Sequence, residues 1–395
     1  MNTLAAFEFD PYSPALHQDP FPLYKRLRDE QPVFHNEKLD FYALSRWGDV
    51  HEAVNDTETY CSSLGVAVGM PPGPPSDVPM LIMMDPPRHT QLRTLVSRAF
   101  TPRRIAELEP RIREIARELI DSFEGDRVDL VGDFAAQLPT IVIAELLGVP
   151  TSDREMFRDK SMQMATFDPL KLQGAGSELS PVVDLGMYMS EVFAERRARP
   201  RDDLISALIA ARVDGESLTL QEQIGFAMLL LVAGNETTTD LISNAVVLLD
   251  RHPGEREKLV KDPAGVATAV EEFLRYEGPV QGLARTTTRE VTLHGVEIPA
   301  GEKVLLLFAS ANRDERHTSE PDRFDVCRNP NPHLAFGFGA HFCMGASLAR
   351  LETQIAFEEL LRRFPRYALA DERIERICSG PLRGCVSLPT ALEGR

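Results

Sequence analysis

The chain has 395 residues, of which 43% are hydrophobic, and a formal net charge of −17 at pH 7. Its length and composition allow one large buried core or two ordinary ones, so a globular protein is expected. The acidic charge is spread along the chain, and no basic run or aromatic-interleaved patch indicates nucleic-acid binding.

The start of the chain, MNTLAAFEFDPYSP, has neither a basic region nor an apolar core, so we expect no secretory signal and no membrane anchor. The longest apolar run, 224–234, is shorter than the roughly 20 residues that a membrane span needs. A cytoplasmic location is therefore expected. In that compartment the five scattered cysteines should be reduced thiols: Cys61, Cys327, Cys343, Cys378 and Cys385.

Helices are predicted to dominate the fold, with few strands. Apolar residues recur at helical spacing in four segments: 22–31, 89–100, 101–123 and 264–278. Strands are predicted at 41–46 and in a pair, 290–298 and 303–310, joined through Pro-Ala-Gly-Glu. No repeat and no linker rich in Gly, Ser or Pro divides the sequence, so one domain over 1–395 is expected, with a helix-rich and a smaller β-rich part.

Two stretches are predicted to be long loops. The segments 69–80 and 167–181 are rich in Gly and Pro and lack a regular apolar period. Long loops in helical proteins often cover a site, and a plain surface connection is the alternative.

The longest predicted helix begins with a capping box at Thr219 and Glu222 and ends near Arg251, before Pro253. At 1.5 Å per residue it is about 50 Å long, and its apolar flanks indicate burial at the centre of the protein. Its middle, 233–240, instead contains poor helix formers and carboxyl groups that are costly to bury. Such local inconsistency is typical of a functional site, and a kinked core helix is the alternative.

A single thiol stands in the Gly- and Phe-rich segment 336–345, directly before a helix predicted to start near residue 344. A helix N-terminus favours negative charge, so Cys343 is suited to bind a metal as a thiolate. Gly339 and Gly345 would let the backbone fold closely around the sulfur. No second cysteine or suitably spaced histidine accompanies it, which argues against zinc and iron–sulfur sites. Axial ligation of haem remains, with an inert buried cysteine as the alternative.

Taken together, these motifs resemble those of the cytochromes P-450, the haem-thiolate monooxygenases, and the resemblance covers essentially the whole chain. The haem-binding signature Phe-x-x-Gly-x-x-x-Cys-x-Gly is met at Phe336, Gly339, Cys343 and Gly345. The Glu-x-x-Arg pair and its partner arginine match Glu272, Arg275 and Arg323, and the central-helix pattern matches Ala233, Gly234, Asn235, Glu236 and Thr237. The N-terminus is similar to those of the soluble bacterial class.

The resemblance implies a mainly α fold with small β-sheets, in which the long central helix crosses over a buried haem b. Cys343 would be the proximal iron ligand, and Phe336 would pack on the thiolate side of the porphyrin. Four side chains would bind the haem propionates: His89, Arg93, Arg285 and His341.

Two further groups of residues receive roles from the resemblance. Glu236 and Thr237 would be the acid and alcohol that relay solvent protons to bound dioxygen. Glu272, Arg275 and Arg323 would form a buried ion-pair network that holds the fold beside the haem. Asn235 is polar where many members of the family are apolar, and the sequence offers no role for it.

The implied reaction inserts one oxygen atom from O2 into a lipophilic small molecule such as a steroid, terpenoid, fatty acid or macrolide-like compound. Electrons would come from NAD(P)H through a ferredoxin and its reductase, because no flavin domain fits in this chain, and the protein would be a monomer. Eight mostly apolar positions match the substrate pocket: Leu229, Val232, Ala233, Val280, Gln281, Leu283, Pro381 and Leu382.

Two other functions remain open. A peroxide-driven peroxygenase would share the haem and need no redox partner, and members of that kind tend to lack the acid and alcohol. A non-catalytic haem protein that serves as a docking module would also have lost them. The presence of Glu236 and Thr237 favours a monooxygenase over both alternatives.

Overall fold

The computed structural model describes residues 8–69, 79–97, 101–153, 156, 159–160, 180–201, 203–213, 215–371 and 373–393. Most of the two predicted covering loops, 70–78 and 167–179, lies outside the described residues. No helix in the described part of the chain is long and apolar enough to cross a membrane.

Helices form most of the structure, as the sequence predicts. In chain order they are α1 (Pro14–Gln18), α2 (Phe21–Glu30), α3 (Trp47–Asn55), α4 (Arg88–Ser97), α5 (Pro102–Ala106), α6 (Glu109–Asp121), α7 (Gln137–Leu147), α8 (Ser180–Ala198), α9 (Leu204–Ala210), α10 (Leu220–Arg251), α11 (Pro253–Lys261), α12 (Val266–Glu277), α13 (Phe308–Ala311) and α14 (Ala346–Arg363).

The strands are short and form small sheets. They are β1 (Val33–Asn36), β2 (Phe41–Leu44), β3 (Tyr60–Cys61), β4 (Arg127–Asp129), β5 (Arg212–Val213), β6 (Glu216–Ser217), β7 (Leu283–Thr287), β8 (Val291–Leu293), β9 (Val296–Ile298), β10 (Lys303–Leu306), β11 (Arg366–Leu369) and β12 (Pro389–Glu393). The largest sheet has the order β1-β2-β10-β7-β3, a second has the order β11-β12-β4, and β5-β6 and β8-β9 are separate pairs.

The central helix, α10, has the predicted bounds. Its 32 residues begin after Thr219, whose side chain and that of Glu222 form the predicted capping box. It packs against α7, α8, α12 and α14, and every residue of 241–249 is buried. Because its second half is enclosed on all sides, apolar residues all round the helix are favourable there.

Two predicted elements are wrong in detail. The helix expected over 101–123 is two helices, because Pro110 cannot continue a helix from the preceding turn and instead lies in the first turn of α6. The expected pairing of 290–298 with 303–310 does not form. His294 and Gly295, both with positive φ, turn the first segment into the separate hairpin β8-β9, and β10 pairs with β2 and β7.

Candidate active site

The backbone wraps tightly around Cys343. Gly337 and Gly339 have φ angles of 67° and 64°, in the left-handed region that favours glycine, and a Cβ on Gly339 would lie 2.7 Å from the Asn55 Oδ1. The Cys343 N–H donates to the Phe336 carbonyl at 2.9 Å, which closes the loop. Gly345 is the N-cap of α14, so Cys343 lies just before a helix N-terminus, as predicted. The helix itself begins at Ala346, two residues later than the predicted start.

The electrostatic environment of Cys343 is mixed. Burial raises the pKa of its thiol, while hydrogen bonds from the Gly345 and Ala346 N–H groups and the charges of Arg93 and Arg350 act in the opposite direction. The side chain nevertheless has accessible surface. The sulfur is therefore reachable by a ligand although it is poorly hydrated, and two N–H groups favour its anionic form.

Phe336 lies next to this loop with its ring under a cation. The Arg350 guanidinium carbon lies 4.6 Å from the centre of the Phe336 ring, and Arg350 also forms a two-point ion pair with Glu271 at 2.7 and 2.9 Å. Among the described residues, no group of three or more His, Cys, Asp or Glu side chains could hold a metal ion. Cys343 therefore offers a single thiolate ligand, as haem requires of a protein of this kind.

The four side chains predicted to bind propionates lie together. The rings of His89 and His341 are 4.2 Å apart, and Arg93 and Arg285 are close enough to lower the pKa of both histidines. Burial is the largest cause in each case, and with the neighbouring charges the pKa of His341 is lowered to about 3 and that of Arg285 to about 10. The Asp85 carboxylate acts in the opposite direction on both histidines and on Arg285, and further anions bound to the cluster would stabilise its charged forms.

An orphaned histidine tests whether haem fits this cluster. His89 is buried, and neither ring nitrogen has a hydrogen-bond partner in the described part of the chain. Neither Arg93 nor Arg285 forms an ion pair there. A recess of about 350 Å³ adjoins the cluster and the Cys343 loop, lined by His89, Thr90, Arg93, Thr94, Ser97, Gly339 and Ala340. Two carboxylates would satisfy these donors, so the residues fit the propionates of haem.

The middle of α10 is polar and partly open, and its backbone stays helical throughout. Ala233 is exposed, and the hydroxyl of Thr237 donates back to its carbonyl at 2.6 Å. Glu236 is buried, and burial raises the pKa of its carboxyl group to about 7. A carboxyl group with this pKa can give up and regain a proton near neutral pH.

Asn235, for which the sequence offered no role, connects two helices. Its Oδ1 accepts a hydrogen bond from the Thr140 hydroxyl on α7 at 2.7 Å, and both side chains are buried. Beside it, a Cβ on Gly234 would lie 2.9 Å from the Ile143 Cδ1, so α10 and α7 approach closely here. The polar residue therefore helps to hold α10 in place.

The predicted pocket residues fall into two groups. Leu229, Val232 and Ala233 lie on α10, all at least partly accessible. The other group is held together by a bridge between Val280 and Leu382, a hydrogen bond from the Gln281 N–H to the Pro381 carbonyl at 2.8 Å, and the start of β7 at Leu283.

The prediction that the Gln281 side chain lines the pocket is wrong. Gln281 is 4% exposed, its Nε2 donates to the Gly278 carbonyl at 2.9 Å, and its Oε1 accepts from the Tyr24 hydroxyl at 3.3 Å. Both ends of the amide are used inside the protein, so only the backbone of Gln281 contributes to this region.

The predicted buried ion pair of Glu272 and Arg275 is present, but the prediction that Arg323 is the third member of its network is wrong. Glu272 and Arg275 are fully buried and form two hydrogen bonds of 2.8 Å. The side chain of Arg323 is 58% exposed and pairs with Glu320 and Asp325, and only its carbonyl accepts from Arg275. Arg328 approaches Glu272 instead, at 3.4 Å. The sequence motif could not distinguish the two arginines because their side-chain directions depend on the loop conformation.

The sequence analysis assigned no role to one buried acid, Asp240. Asp240 lies one turn after Glu236 on α10 and is completely buried. Its signal in the sequence is a second carboxyl group four residues after Glu236, in a helix whose flanks are apolar.

A single cysteine just before a helix N-terminus, together with a basic cluster that fits two carboxylates, is the arrangement that a haem-thiolate protein requires. Residues 129–390 match the family model for cytochrome P-450. A vitamin D(3) 25-hydroxylase of Pseudonocardia autotrophica is 41% identical, over 100% of this chain and 99% of the relative. The structure of the cytochrome P-450 CYP109Q5 from Chondromyces apiculatus matches with a TM-score of 0.90 at 41% identity, over 98% of both chains.

A third similar protein is CYP109E1 from Bacillus megaterium, solved in complex with testosterone. It matches with a TM-score of 0.89 at 34% identity, over 96% of this chain and 100% of that chain. The chain belongs to the cytochrome P-450 family, and it has the fold of that family. It is a monooxygenase, and its cofactor is haem.

Proposed function

We propose that this monooxygenase hydroxylates a lipophilic molecule of the steroid class, with electrons passed from NAD(P)H by a ferredoxin reductase and a ferredoxin. The observation that supports haem chemistry is the position of Cys343 beside Arg93 and the buried, unpartnered side chain of His89. The steroid class is supported by the vitamin D(3) 25-hydroxylase and by the testosterone complex of CYP109E1. The accessible apolar residues on α10 and at the Val280–Leu382 bridge are compatible with such a substrate.

The residues that would hold haem have distinct tasks. Cys343 would bind the iron through its thiolate, which the Gly345 and Ala346 N–H groups stabilise. Arg93, Arg285 and the histidines beside them would bind the propionates by charge-assisted hydrogen bonds. When bound, haem supplies the centre at which O2 is reduced and from which one oxygen atom is transferred to the substrate.

Two residues of α10, Glu236 and Thr237, would supply the protons. Glu236 can hold a proton near neutral pH, because burial disfavours its charged form. The Thr237 hydroxyl lies one turn from Ala233, where the helix is accessible, and is the group best placed to pass a proton onward. Apolar surroundings would limit the entry of bulk water, so that protons arrive by this route.

The first experiment tests the haem ligand. Cys343→Ser removes the thiolate and should abolish the red-shifted absorption of the reduced carbonyl complex, because that shift requires a strong sulfur donor. Cys327→Ser is the matched control, since Cys327 is also an exposed free thiol. An unchanged spectrum in the Cys343→Ser protein would contradict the assignment.

A second experiment tests substrate and electron source. Titration with testosterone or vitamin D3 should convert the ferric haem from low to high spin, and incubation with NAD(P)H, ferredoxin and reductase should yield a hydroxylated product. Fatty acids, terpenoids and macrolides serve as the comparison set. Turnover with hydrogen peroxide alone at an equal rate would favour a peroxygenase, and a spin shift confined to another class would reject the steroid.

A further inference from the structure

A second carboxyl group lies on α10 one turn after Glu236. Asp240 has 0% exposure, and no donor in the described part of the chain bonds to either of its carboxyl oxygens. Side chains four residues apart lie on the same side of a helix, so the carboxyl groups of Glu236 and Asp240 are neighbours. None of the roles described above uses Asp240.

The positive charge of Arg376 attracts the Asp240 carboxylate, but Arg376 does not form a hydrogen bond with it. The Arg376 guanidinium donates instead to the Asn244 Oδ1 at 2.6 Å, to the Glu277 Oε1 at 3.0 Å and to the Cys385 Sγ at 3.2 Å. Burial is the largest influence on Asp240 and raises the pKa of its carboxyl group, and the charge of Glu236 adds to this, while Arg376 opposes it. The neutral acid is therefore the favoured form of Asp240.

The packing around Asp240 fixes this arrangement. A Cβ on Gly384 would overlap the Asp240 Oδ1, so the carboxyl group lies directly against the backbone of that loop. Three elements contribute the charged and titratable groups of this region: Glu236 on α10, Glu277 on α12, and Arg376, Arg383 and Cys385 from the 376–385 segment. Both arginines pair with Glu277, and neither forms an ion pair with Asp240 in the described part of the chain.

We propose that Asp240 acts through Glu236 as a proton store: the carboxyl pair retains one proton at a pH at which Glu236 alone would be ionised. Two interacting acids lose their protons in two separate steps, and the second step lies at the higher pH. The last proton of the pair therefore stays inside the protein through neutral pH. This inference rests on the proposed function, since a proton store serves an enzyme that consumes protons in each turnover.

The proton balance is simple. Each turnover takes two electrons from the redox partner and two protons from solvent, places one atom of O2 in the substrate and releases the other as water. The pair gives up a proton from a carboxyl O–H towards the Thr237 hydroxyl. It then regains one from solvent through Glu236, which is 4% exposed, whereas Asp240 has no exposure.

Infrared spectroscopy of the resting holoenzyme tests the store directly, because a protonated carboxyl group absorbs apart from a carboxylate. Glu352 on α14 is also fully buried, and burial raises its pKa to about 8, so the measurement is made in a Glu352→Gln background. The band of the last protonated carboxyl group should persist above neutral pH. In the Asp240→Asn protein it should disappear at a pH lower by about one unit or more.

The yield of product per NAD(P)H gives a second measurement. It should fall at high pH as the last proton is lost, and Asp240→Asn should move this fall down by about one pH unit, whereas Glu352→Gln alone should not move it. If Asp240→Asn does not load haem, Glu236→Gln replaces it: without its charged neighbour, Asp240 should lose its proton at a lower pH. Unchanged infrared and yield profiles in these variants would overturn the store.

The failure of the proposed function is distinguishable from this outcome. A protein without the red-shifted carbonyl complex, or without oxygenation of any steroid, would contradict the proposed function, and the infrared titration would still decide whether the two carboxyl groups share a retained proton.

Discussion

Consecutive threonines on α10 look alike in the sequence and differ in the structure. Thr237 donates to the Ala233 carbonyl at 2.6 Å from a partly accessible position. Thr239 is buried, and its hydroxyl is within 3.0 Å of the Asn235 carbonyl and 3.2 Å of the Ala135 carbonyl. Both hydroxyls bond one turn back, but only that of Thr237 can also reach a ligand over the helix.

Thr237→Ala should separate electron flow from product formation. It removes about one hydrogen bond, or about 1 kcal/mol, so the fold and haem content should change little. NAD(P)H consumption should persist while product per NAD(P)H falls and hydrogen peroxide rises, because protons reach bound dioxygen less efficiently. Thr239→Ala is the control: it should lower the unfolding temperature without raising peroxide. A fully coupled Thr237→Ala enzyme would assign the relay to another group.

Roles that depend on neighbouring residues in the sequence were predictable. Roles that depend on where a side chain points in the folded protein were not. Cys343 was found because its glycines and the following helix lie within ten residues of it. Gln281 and Arg323 were assigned wrongly, since each matches a motif position while its side chain finds partners elsewhere in the fold. Asp240 was missed because its burial and its contact with Gly384 arise from a segment more than 130 residues away.

At the scale of elements, capping and turn chemistry predicted boundaries well when their signals were local. The capping box at Thr219 fixed the start of α10, and Pro253 begins the next helix. The pairing of β10 was not predictable in this way, because its partners β2 and β7 are chosen by the packing of the whole sheet. The hairpin at His294 could have been found from the Gly that follows it.

The contact between α10 and α7 gives a prediction at this scale. Asn235→Ala removes one of two acceptors of the Thr140 hydroxyl, the other being the Ala136 carbonyl one turn earlier in the chain, and should destabilise the protein by about 1 kcal/mol. In a Thr140→Val background the same change should cost less, because the hydrogen bond is already gone. Denaturant unfolding of the four proteins measures this coupling. Additive losses would show that Asn235 stabilises α10 by other means.

At the scale of the whole molecule, one carboxylate joins α12 to the long segment that leads to the cysteine loop. Glu272 binds Arg275 on its own helix, accepts from the Asp325 N–H at 3.0 Å and from the Asn331 Nδ2 at 3.0 Å, and lies 3.4 Å from Arg328. All of these donors surround a side chain with no exposure. The segment is thereby held to the helical part of the protein beside the site.

The last prediction decides which arginine completes this network. Arg328 is 13% exposed and also donates to the Ser319, Glu320 and Arg323 carbonyls, so Arg328→Ala removes these hydrogen bonds and a cation beside Glu272 and should cost about 3 kcal/mol. Arg323→Ala removes only surface pairs and should cost less than about 1 kcal/mol.

Thermal unfolding and haem content of the two holoenzymes provide the measurement, and the two arginines, five residues apart, serve as controls for each other. Arg328→Ala should lower the unfolding temperature and the fraction of protein that retains haem, because the segment before the cysteine loop loses one of its attachments to Glu272 on α12. Arg323→Ala should resemble the unmodified protein in both respects. A larger loss for Arg323→Ala than for Arg328→Ala would restore the family position, Arg323, as the third member of the network and would mean that its side chain turns inward in solution.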